Sequence, residues 1–248
     1  MMRTVHVIGI GAGDPDYVTA QAIRAMNDTQ VFFVTDKGEA KGDLVGLRRE
    51  VLRRFISEPR YRVVELPDPP RSPDGDYTSA VVDWHAARVR LWADAIETEL
   101  APGGVGAFLA WGDPALYDST LRILDQVADR VDLRYDVVPG ITAIQALTAR
   151  HRIPLNEIGE PVLITTGRKL RADGLSGTAV VMLDGGCAFL ECPPSTRIWW
   201  GAYLGTPEEI LVSGTVGEVG ARIAELRATS RARHGWIMDT YLLRAGRQ

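Results

Sequence analysis

The sequence contains few of the residues that build disulfide frameworks and metal sites. Among its 248 residues are four histidines and two cysteines, Cys187 and Cys192. A lone cysteine pair at this spacing is more typical of two buried thiols than of a disulfide or a metal site. The histidines are scattered along the chain, so together with the cysteines they form no recognisable ligand set. We therefore expect no bound metal.

Long apolar segments and a strong excess of one charge are also absent. No apolar run approaches the roughly 18 residues of a membrane-spanning helix, and the first residues show no signal-peptide pattern. The net charge is −4, which creates no overall field that would attract nucleic acid or an anionic membrane surface. These features predict a cytoplasmic protein without nucleic-acid or membrane partners, in which an anionic ligand needs a local basic patch.

The first part of the chain alternates between predicted strands and helices. Its composition, 46% hydrophobic and 24% charged, is that of a globular protein able to bury a substantial core. Continuous apolar runs, typical of strands buried on both faces of a parallel sheet, occupy 4–10, 31–36, 61–66, 104–111 and 133–140. Helical patterns lie between them, at 20–28, 44–56, 78–100 and 120–129. We predict an α/β domain over residues 1–140, with helices on both faces of a parallel sheet.

The pattern changes after Pro139, where predicted strands become more closely spaced. A helix is predicted over 142–150 and another near 217–228, with strands over 161–166, 178–183, 197–204 and 236–243. These elements indicate a second domain of mixed α+β type over residues 141–248.

The first predicted strand runs into three glycines, Gly9, Gly11 and Gly13. A strand, a glycine turn and a helix form the setting of a dinucleotide-binding site, and Asp36 ends the second strand where an acid could hold a ribose. The spacing is G-x-G-x-G-D, however, and Asp14 and Asp16 place negative charge where a diphosphate needs positive potential. An NAD-dependent oxidoreductase is therefore disfavoured, whereas a close-packed turn without a ligand stays open beside any ligand-binding role.

Two further glycine turns follow predicted strands. They lie in “AWGDPALYDSTL” (110–121) and “VVPGITAIQAL” (137–147). In open α/β sheets, ligands bind in the crevice outside the carboxyl ends of the strands. Three such turns at three strand ends predict a binding site at this edge of the sheet.

Four segments resemble those of the tetrapyrrole methyltransferases, S-adenosylmethionine-dependent enzymes that modify uroporphyrinogen and corrin precursors. “GIGAGDPDYVTAQA” is similar to the opening G-x-G-P-G-D-P-x-x-L-T of that family, and “WGDPALYDST” is similar to its G-G-D-P-x-x-Y. “VPGITAIQAL…RIPL” resembles V-P-G-I-[ST]-[SA] with a trailing I-P-L, and “YLGTPEEILVSGTV” resembles a late G-T-x-x-[EQ] segment. The resemblance covers the chain from end to end. Ala12 and Trp111 stand where the family usually has proline and glycine, and both alter the walls of the pocket.

The resemblance implies a two-domain tetrapyrrole methylase fold and a homodimer. Segments outside the common motifs, such as “VVDWHAAR” and “GWIMDTYLLR”, resemble a branch of the family that acts in aerobic cobalamin (vitamin B12) biosynthesis. The implied activity is methylation of C-1 of precorrin-5, with release of acetate to give precorrin-6A. A methyltransferase acting at another ring carbon and a non-catalytic tetrapyrrole carrier are the alternatives.

The resemblance also places the methyl donor in a trough between the two domains. Because S-adenosylmethionine carries no phosphate, its site needs apolar walls and backbone hydrogen bonds rather than a phosphate cradle. For Leu183 and Leu204 the alternative is an ordinary core position. Carried over position by position, the cofactor-binding candidates are Ala12, Trp111, Gly112, Asp113, Leu116, Thr142, Ala143, Leu183 and Leu204.

Release of acetate requires water to attack a carbonyl carbon, which a general base would assist. The catalytic candidates are His85 and Asp83, with Tyr117 and Asp118 behind them. The alternative is that Trp84 is a core residue and that His85 is a surface or hydrogen-bonded structural histidine.

A tetrapyrrole with many carboxylates requires a local group of basic side chains. The segment “TTGRKLR” follows a predicted strand and supplies the substrate-binding candidates Arg168, Lys169 and Arg171. The four arginines of “LRREVLRR” (47–54) are a rival set, which we interpret as a solvated helix face.

Overall fold

The computed structural model describes residues 1–36, 42–58, 60–69 and 77–246. By their internal contacts they form two compact units. The first comprises Met1–Gly11 and Pro15–Ile141, and the second comprises Ala12–Asp14 and Thr142–Gln248. The second unit thus includes part of the glycine-rich segment that the sequence pattern assigns to the first domain.

The first unit is built on a five-stranded parallel sheet. Its strands are β1 (Arg3–Gly9), β2 (Val31–Asp36), β3 (Arg62–Pro67), β4 (Val105–Ala110) and β5 (Leu133–Val138). Its helices are α1 (Ala20–Asp28), α2 (Gly42–Phe55), α3 (Tyr77–Glu99) and α4 (Thr120–Ala128). The strand order is β3-β2-β4-β1-β5, and every neighbouring pair is parallel. The predicted α/β class and all five predicted strands are confirmed.

Helices pack on both faces of this sheet because its strands carry apolar side chains on both. On one face, Trp92 of α3 stacks on Phe108 of β4 with ring centroids 4.2 Å apart, and Ile123 of α4 belongs to the same core. On the other face, Met26 of α1 and Leu52 of α2 lie in a second core. The parallel arrangement brings the carboxyl ends of β4, β1 and β5 to one edge, where the three glycine turns follow.

The second unit contains a mixed five-stranded sheet. Its elements are α5 (Ala143–His151), β6 (Val162–Thr166), α6 (Gly167–Asp173), β7 (Thr178–Met182), β8 (Arg197–Ala202), β9 (Ile210–Thr215), α7 (Val216–His234) and β10 (Asp239–Arg244). The strand order is β6-β7-β10-β8-β9, in which β6 and β7 are parallel and the other pairs are antiparallel. The sequence pattern missed two elements, the short helix α6 and the edge strand β9.

A buried group of charged and polar side chains lies inside the second unit. The Nε of Arg227 donates to Oδ2 of Asp239 at 2.7 Å, and the indole Nε1 of Trp200 donates to the same oxygen at 2.7 Å. Another guanidinium nitrogen donates to the carbonyl of Asp184, whose carboxylate accepts from the hydroxyl of Tyr241. Burial lowers the pKa of Arg227, but the charge of Asp239 and the hydrogen bonds to Asp239 and Cys187 together outweigh burial and raise this pKa above its usual value. Arg227 is therefore held in its charged form, while burial raises the pKa of Asp239 against the lowering effect of the Arg227 charge.

The structure also gives the state of the two cysteines and describes the potential for metal binding and for membrane-spanning helices. Cys187 and Cys192 are free thiols, and both are partly buried. Within the described ranges, no cluster of three or more histidine, cysteine, aspartate or glutamate side chains could hold a metal ion. None of the helices in the described part of the chain is both long enough and apolar enough to span a membrane.

Candidate functional site

Three glycines bring the strand ends of the first sheet into direct backbone contact. A Cβ atom placed on Gly140 would lie 2.0 Å from the carbonyl oxygen of Gly112. A Cβ on Gly9 would lie 2.6 Å from the amide nitrogen of Gly140 and 2.8 Å from the same carbonyl oxygen. No side chain fits at either position, so glycine is required there for the turns after β1, β4 and β5 to pack together.

The backbone amides of two of these turns bond to each other. Gly112 donates to the carbonyl of Gly11 at 2.8 Å, and Gly11 donates to the carbonyl of Gly112 at 3.2 Å. Both residues have a positive φ, +83° for Gly11 and +66° for Gly112. Since each amide has a single proton to donate, neither is left to cradle a phosphate. The glycine turn is thus a close crossing of two chain segments and lacks the geometry of a dinucleotide fingerprint.

Asp113 ties the turn after β4 to the turn after β5. One carboxylate oxygen accepts from the amide of Gly140 at 2.8 Å, and the other accepts from the amide of Ala115 at 2.8 Å. The backbone carbonyl of Asp113 also accepts from the amide of Leu116 at 3.2 Å. The carboxylate proposed for donor binding therefore orders its own loop, and each oxygen keeps one lone pair for a ligand.

The loop over residues 111–119 presents two side chains in unusual surroundings. The indole Nε1 of Trp111 is buried, and no group in the described part of the chain accepts a hydrogen bond from it. Tyr117 has a left-handed backbone, with φ of +53°, and its side chain is 47% exposed. Partial burial raises the pKa of its hydroxyl. Strained backbone at an exposed aromatic residue is typical of ligand-binding loops.

The predicted catalytic residues of α3 do not form a pair. Asp83 and His85 are two positions apart on the helix, so their side chains point to different sides, and Asp83 is exposed. The ring of His85 lies 5.3 Å from that of Trp84. The guanidinium of Arg88 lies 3.8 Å above the same indole and bonds to Asp68 just after β3 at 2.8 Å. This packing fixes the α3 segment around His85, but Asp83 does not orient the imidazole.

Two predicted cofactor residues, Ala12 and Leu204, belong to the second unit. Gly13, which follows Ala12 in the chain, packs against the backbone of Leu204. A Cβ atom on Gly13 would lie 2.1 Å from the carbonyl oxygen of Leu204. Ala12 is 3% exposed and Leu204 is 5% exposed. The side chain of Leu204 packs over Gly201, where a Cβ would lie 2.7 Å from a leucine methyl group. Leu204 therefore has the burial of a core residue, while its backbone contacts the glycine segment.

The other predicted cofactor residues of the second unit lie at element ends. Thr142 is the N-cap of α5, where its hydroxyl accepts from the amide of Ile144 at 3.0 Å, and Ala143 is the first helical residue. Leu183 directly follows β7, has a left-handed backbone with φ of +52°, and is 67% exposed. An exposed and strained leucine is not a core residue, so the core alternative is wrong for Leu183.

The predicted substrate-binding residues all lie on α6. The ammonium of Lys169 is 3.0 Å from the carboxylate of Asp173, one turn along the same helix. The guanidinium of Arg171 is 2.7 Å from Glu191 and also bonds to the carbonyl of Gly186. Arg168 lies beside them in the first turn. Lys169 and Arg171 thus already have partners within the second unit.

The sequence pattern led us to interpret the arginines of α2 as a solvated helix face. The structure contradicts this interpretation at Arg48. Arg49 is 71% exposed, and Arg53 and Arg54 are paired with acidic side chains at the surface. Arg48, in contrast, directs its Nε toward the backbone carbonyl of Leu109 at the end of β4, at 3.4 Å. The inward position of Arg48 could have been predicted from the sequence. Residue 48 precedes the buried residues Val51 and Leu52 by three and four positions, so all three lie on the same face of the helix.

Comparison with known proteins identifies the family. The chain matches the model of the Tetrapyrrole (Corrin/Porphyrin) Methylases over residues 4–220. It is 50% identical over 251 residues to a precorrin-6A synthase (deacetylating) of Sinorhizobium sp, which covers 99% of this chain and 96% of the relative.

Solved structures show the same fold. A putative cobalamin synthesis related protein (CobF) from Corynebacterium diphtheriae is 43% identical, with a TM-score of 0.86, over 98% of this chain and 99% of that one. A uroporphyrin-III C-methyltransferase from Thermus thermophilus, crystallised with S-adenosyl homocysteine, is 18% identical, with a TM-score of 0.62, over 97% and 91% of the two chains. The chain belongs to the tetrapyrrole (corrin/porphyrin) methylases.

Proposed function

We propose that this protein is an S-adenosylmethionine-dependent C-methyltransferase of aerobic cobalamin biosynthesis. It methylates C-1 of precorrin-5 and releases acetate, giving precorrin-6A. The observation that carries the proposal is the 50% identity to the Sinorhizobium precorrin-6A synthase over 99% of this chain and 96% of the relative. Identity at this level over nearly all of both chains extends far beyond the four segments that carry the family resemblance.

The carboxyl edge of the first sheet suits a donor without phosphates. The amides of Gly11, Gly112 and Gly140 are all bonded within the turns, so they are not available to a diphosphate. The buried Nε1 of Trp111 has no acceptor in the described part of the chain, and a bound nucleoside or amino-acid group can supply one. S-adenosylmethionine carries its methyl group on a positively charged sulfur, and an electron-rich ring carbon accepts that methyl group.

The proposed donor-binding residues are those carried over from the family resemblance. Those of the first unit lie in the loop that the Asp113 carboxylate orders. Those of the second unit lie next to Gly13, at the start of α5, and just after β7 and β8. Several of them are held by backbone contacts rather than by mobile side chains, which favours accurate positioning of the donor. The set comprises Ala12, Trp111, Gly112, Asp113, Leu116, Thr142, Ala143, Leu183 and Leu204.

Positioning is the main contribution expected from these residues, since a carbon nucleophile that displaces sulfur in line needs no covalent catalysis. Acetate release differs, because a water molecule must lose a proton as it adds to the carbonyl carbon. His85, fixed beside Trp84, is the proposed proton acceptor, and Tyr117 is a proposed hydrogen-bond donor. Asp83 is exposed and points elsewhere, so it is the weakest of the three proposed catalytic residues.

The proposal has three further parts, of which the homodimer rests on the family resemblance. The protein is proposed to work in the cytoplasm as a homodimer. Arg168, Lys169 and Arg171 are proposed to bind carboxylates of precorrin-5, although the partners of Lys169 and Arg171 must then be exchanged for the substrate.

Calorimetric titration with S-adenosyl homocysteine, beside NADH, tests the cofactor. We expect S-adenosyl homocysteine to bind with a Kd on the order of micromolar, since its affinity must suit cellular concentrations. NADH is expected to give no heat above dilution, because the turn amides are already bonded. Binding of NADH without S-adenosyl homocysteine would overturn the proposal and restore the oxidoreductase alternative.

A further inference from the structure

Arg48 occupies a position unlike that of the other arginines on α2. It lies on the face of the helix that carries Val51 and Leu52, which are 0% and 2% exposed. Its Nε reaches the carbonyl of Leu109, the penultimate residue of β4, at 3.4 Å. The guanidinium therefore lies at the edge of the sheet from which the loop over residues 111–119 departs.

The guanidinium of Arg48 has few hydrogen-bond acceptors for a partly buried group. Within the part of the chain whose side chains are described, the Leu109 carbonyl is its one acceptor, at a distance typical of a weak bond. Burial lowers the pKa of Arg48, and the nearby charge of Asp118, in the same loop, raises it. An arginine stays protonated even so, which leaves a partly buried charge and several N–H groups to be satisfied.

The arrangement matches the recognition of a carboxylate. Arginine binds carboxylates through two parallel N–H bonds, and such charge-assisted bonds are stronger where water is partly excluded. Tyr117 precedes Asp118 in the same loop and presents an exposed aromatic ring there, a surface on which a flat macrocycle can pack.

We propose that Arg48 binds a carboxylate side chain of the tetrapyrrole substrate at the carboxyl edge of the first sheet. This inference rests on the proposed function and adds a substrate contact in the first unit to those proposed on α6. Arg48 holds one acetate or propionate group through its Nη atoms, and it thereby sets the position of the ring relative to the loop over residues 111–119.

The test uses the full-length enzyme and three variants. Arg48→Gln removes the charge but keeps most of the side-chain length, and Arg48→Lys keeps the charge without the paired N–H geometry. Arg49→Gln is the matched control, because Arg49 is adjacent on the same helix and is 71% exposed. Steady-state kinetics with precorrin-5, calorimetry with S-adenosyl homocysteine and thermal unfolding are measured for each.

Arg48→Gln is expected to raise KM for precorrin-5 about tenfold or more, with a smaller change in kcat. Arg48→Lys should raise KM less than Arg48→Gln does, and Arg49→Gln should leave KM within about twofold of the wild type. The Kd for S-adenosyl homocysteine should not change. Thermal stability should not fall, since Arg48 has only one weak acceptor in the described part of the chain.

Several results would overturn the inference. An unchanged KM in folded Arg48→Gln would do so, and so would an equal rise in Arg49→Gln, which would indicate a general charge effect. A rise in KM accompanied by a comparable loss of donor affinity, or by a loss of thermal stability, would assign Arg48 a structural role.

Failure of the proposed function gives a different result. If the wild type binds S-adenosyl homocysteine but does not turn over precorrin-5, the same variants are titrated with uroporphyrin III, a stable tetrapyrrole with acetate and propionate groups. Weaker binding by Arg48→Gln alone would then support the carboxylate contact, and equal binding by all variants would contradict it.

Discussion

Replacing Gly140 with alanine is expected to destabilise the first unit by about 3 kcal/mol and to abolish binding of S-adenosyl homocysteine. The added Cβ would lie 2.0 Å from the carbonyl oxygen of Gly112 and 2.9 Å from two backbone atoms of Gly9. All of these neighbours are backbone, so no side-chain rotation relieves the overlap. The strand ends must separate, and the bond from the Gly140 amide to Asp113 is lost with them.

The matched control is Gly46→Ala. Gly46 lies within α2, and a Cβ added there would meet no atom of the described residues within 4 Å beyond the backbone of its own helix. Alanine is favoured over glycine in a helix by about 1 kcal/mol, so this variant should be as stable as the wild type or slightly more stable. Urea unfolding and calorimetry compare the two. If Gly140→Ala unfolds and binds like Gly46→Ala, the close crossing of the turns is not what forms the site.

Replacing Asp239 with alanine is expected to lower the free energy of unfolding by about 3 to 5 kcal/mol. The side chains of Arg227 and Asp239 are only 10% and 5% exposed, and removal of the carboxylate leaves a buried guanidinium charge without its partner. The indole N–H of Trp200 loses its acceptor in the same substitution. The second unit, rather than the first, should therefore begin to unfold at lower denaturant concentration.

Two variants separate this effect from a general loss of charge. Asp173→Ala removes a carboxylate paired with Lys169 at the surface, where both side chains are more than half exposed, and it should cost less than about 1 kcal/mol. The double variant Arg227→Met/Asp239→Leu removes both buried charges and should recover much of the stability lost in Asp239→Ala. Equal stability of Asp239→Ala and Asp173→Ala would show that the buried pair does not stabilise the unit.

The inner strands β1 and β4 of the first sheet were predictable because most of their residues are buried or partly buried on both faces. Continuous apolar runs such as “VHVIGI” and “VGAFLA” leave few other structures possible for so short a segment. The edge strand β9, “ILVSGT”, mixes apolar and polar residues, and the helix α6 has only seven residues. Periodicity over so few residues does not distinguish such elements from loops, and therefore both were missed.

The meeting of the three glycine turns was predictable from the sequence, but the contacts between them were not. Glycines at three strand ends indicated the carboxyl edge of the sheet, and the family resemblance supplied the candidate residues. That Asp113 bonds to Gly140, twenty-seven positions away, depends on strand order, which no local pattern encodes. The buried bond between Arg227 and Asp239 likewise depends on tertiary packing, although an aspartate beside the apolar run “TYLL” was a signal for it.

The activity itself is tested most directly by incubating the protein with precorrin-5 and S-adenosylmethionine labelled in its methyl group. The account predicts that label enters precorrin-6A at C-1 and that one acetate is released for each methyl group transferred. Product mass with carbon NMR locates the label, and an enzymatic acetate assay gives the ratio. Label incorporated at another ring carbon, or bound S-adenosylmethionine with neither labelled product nor acetate, would contradict the account.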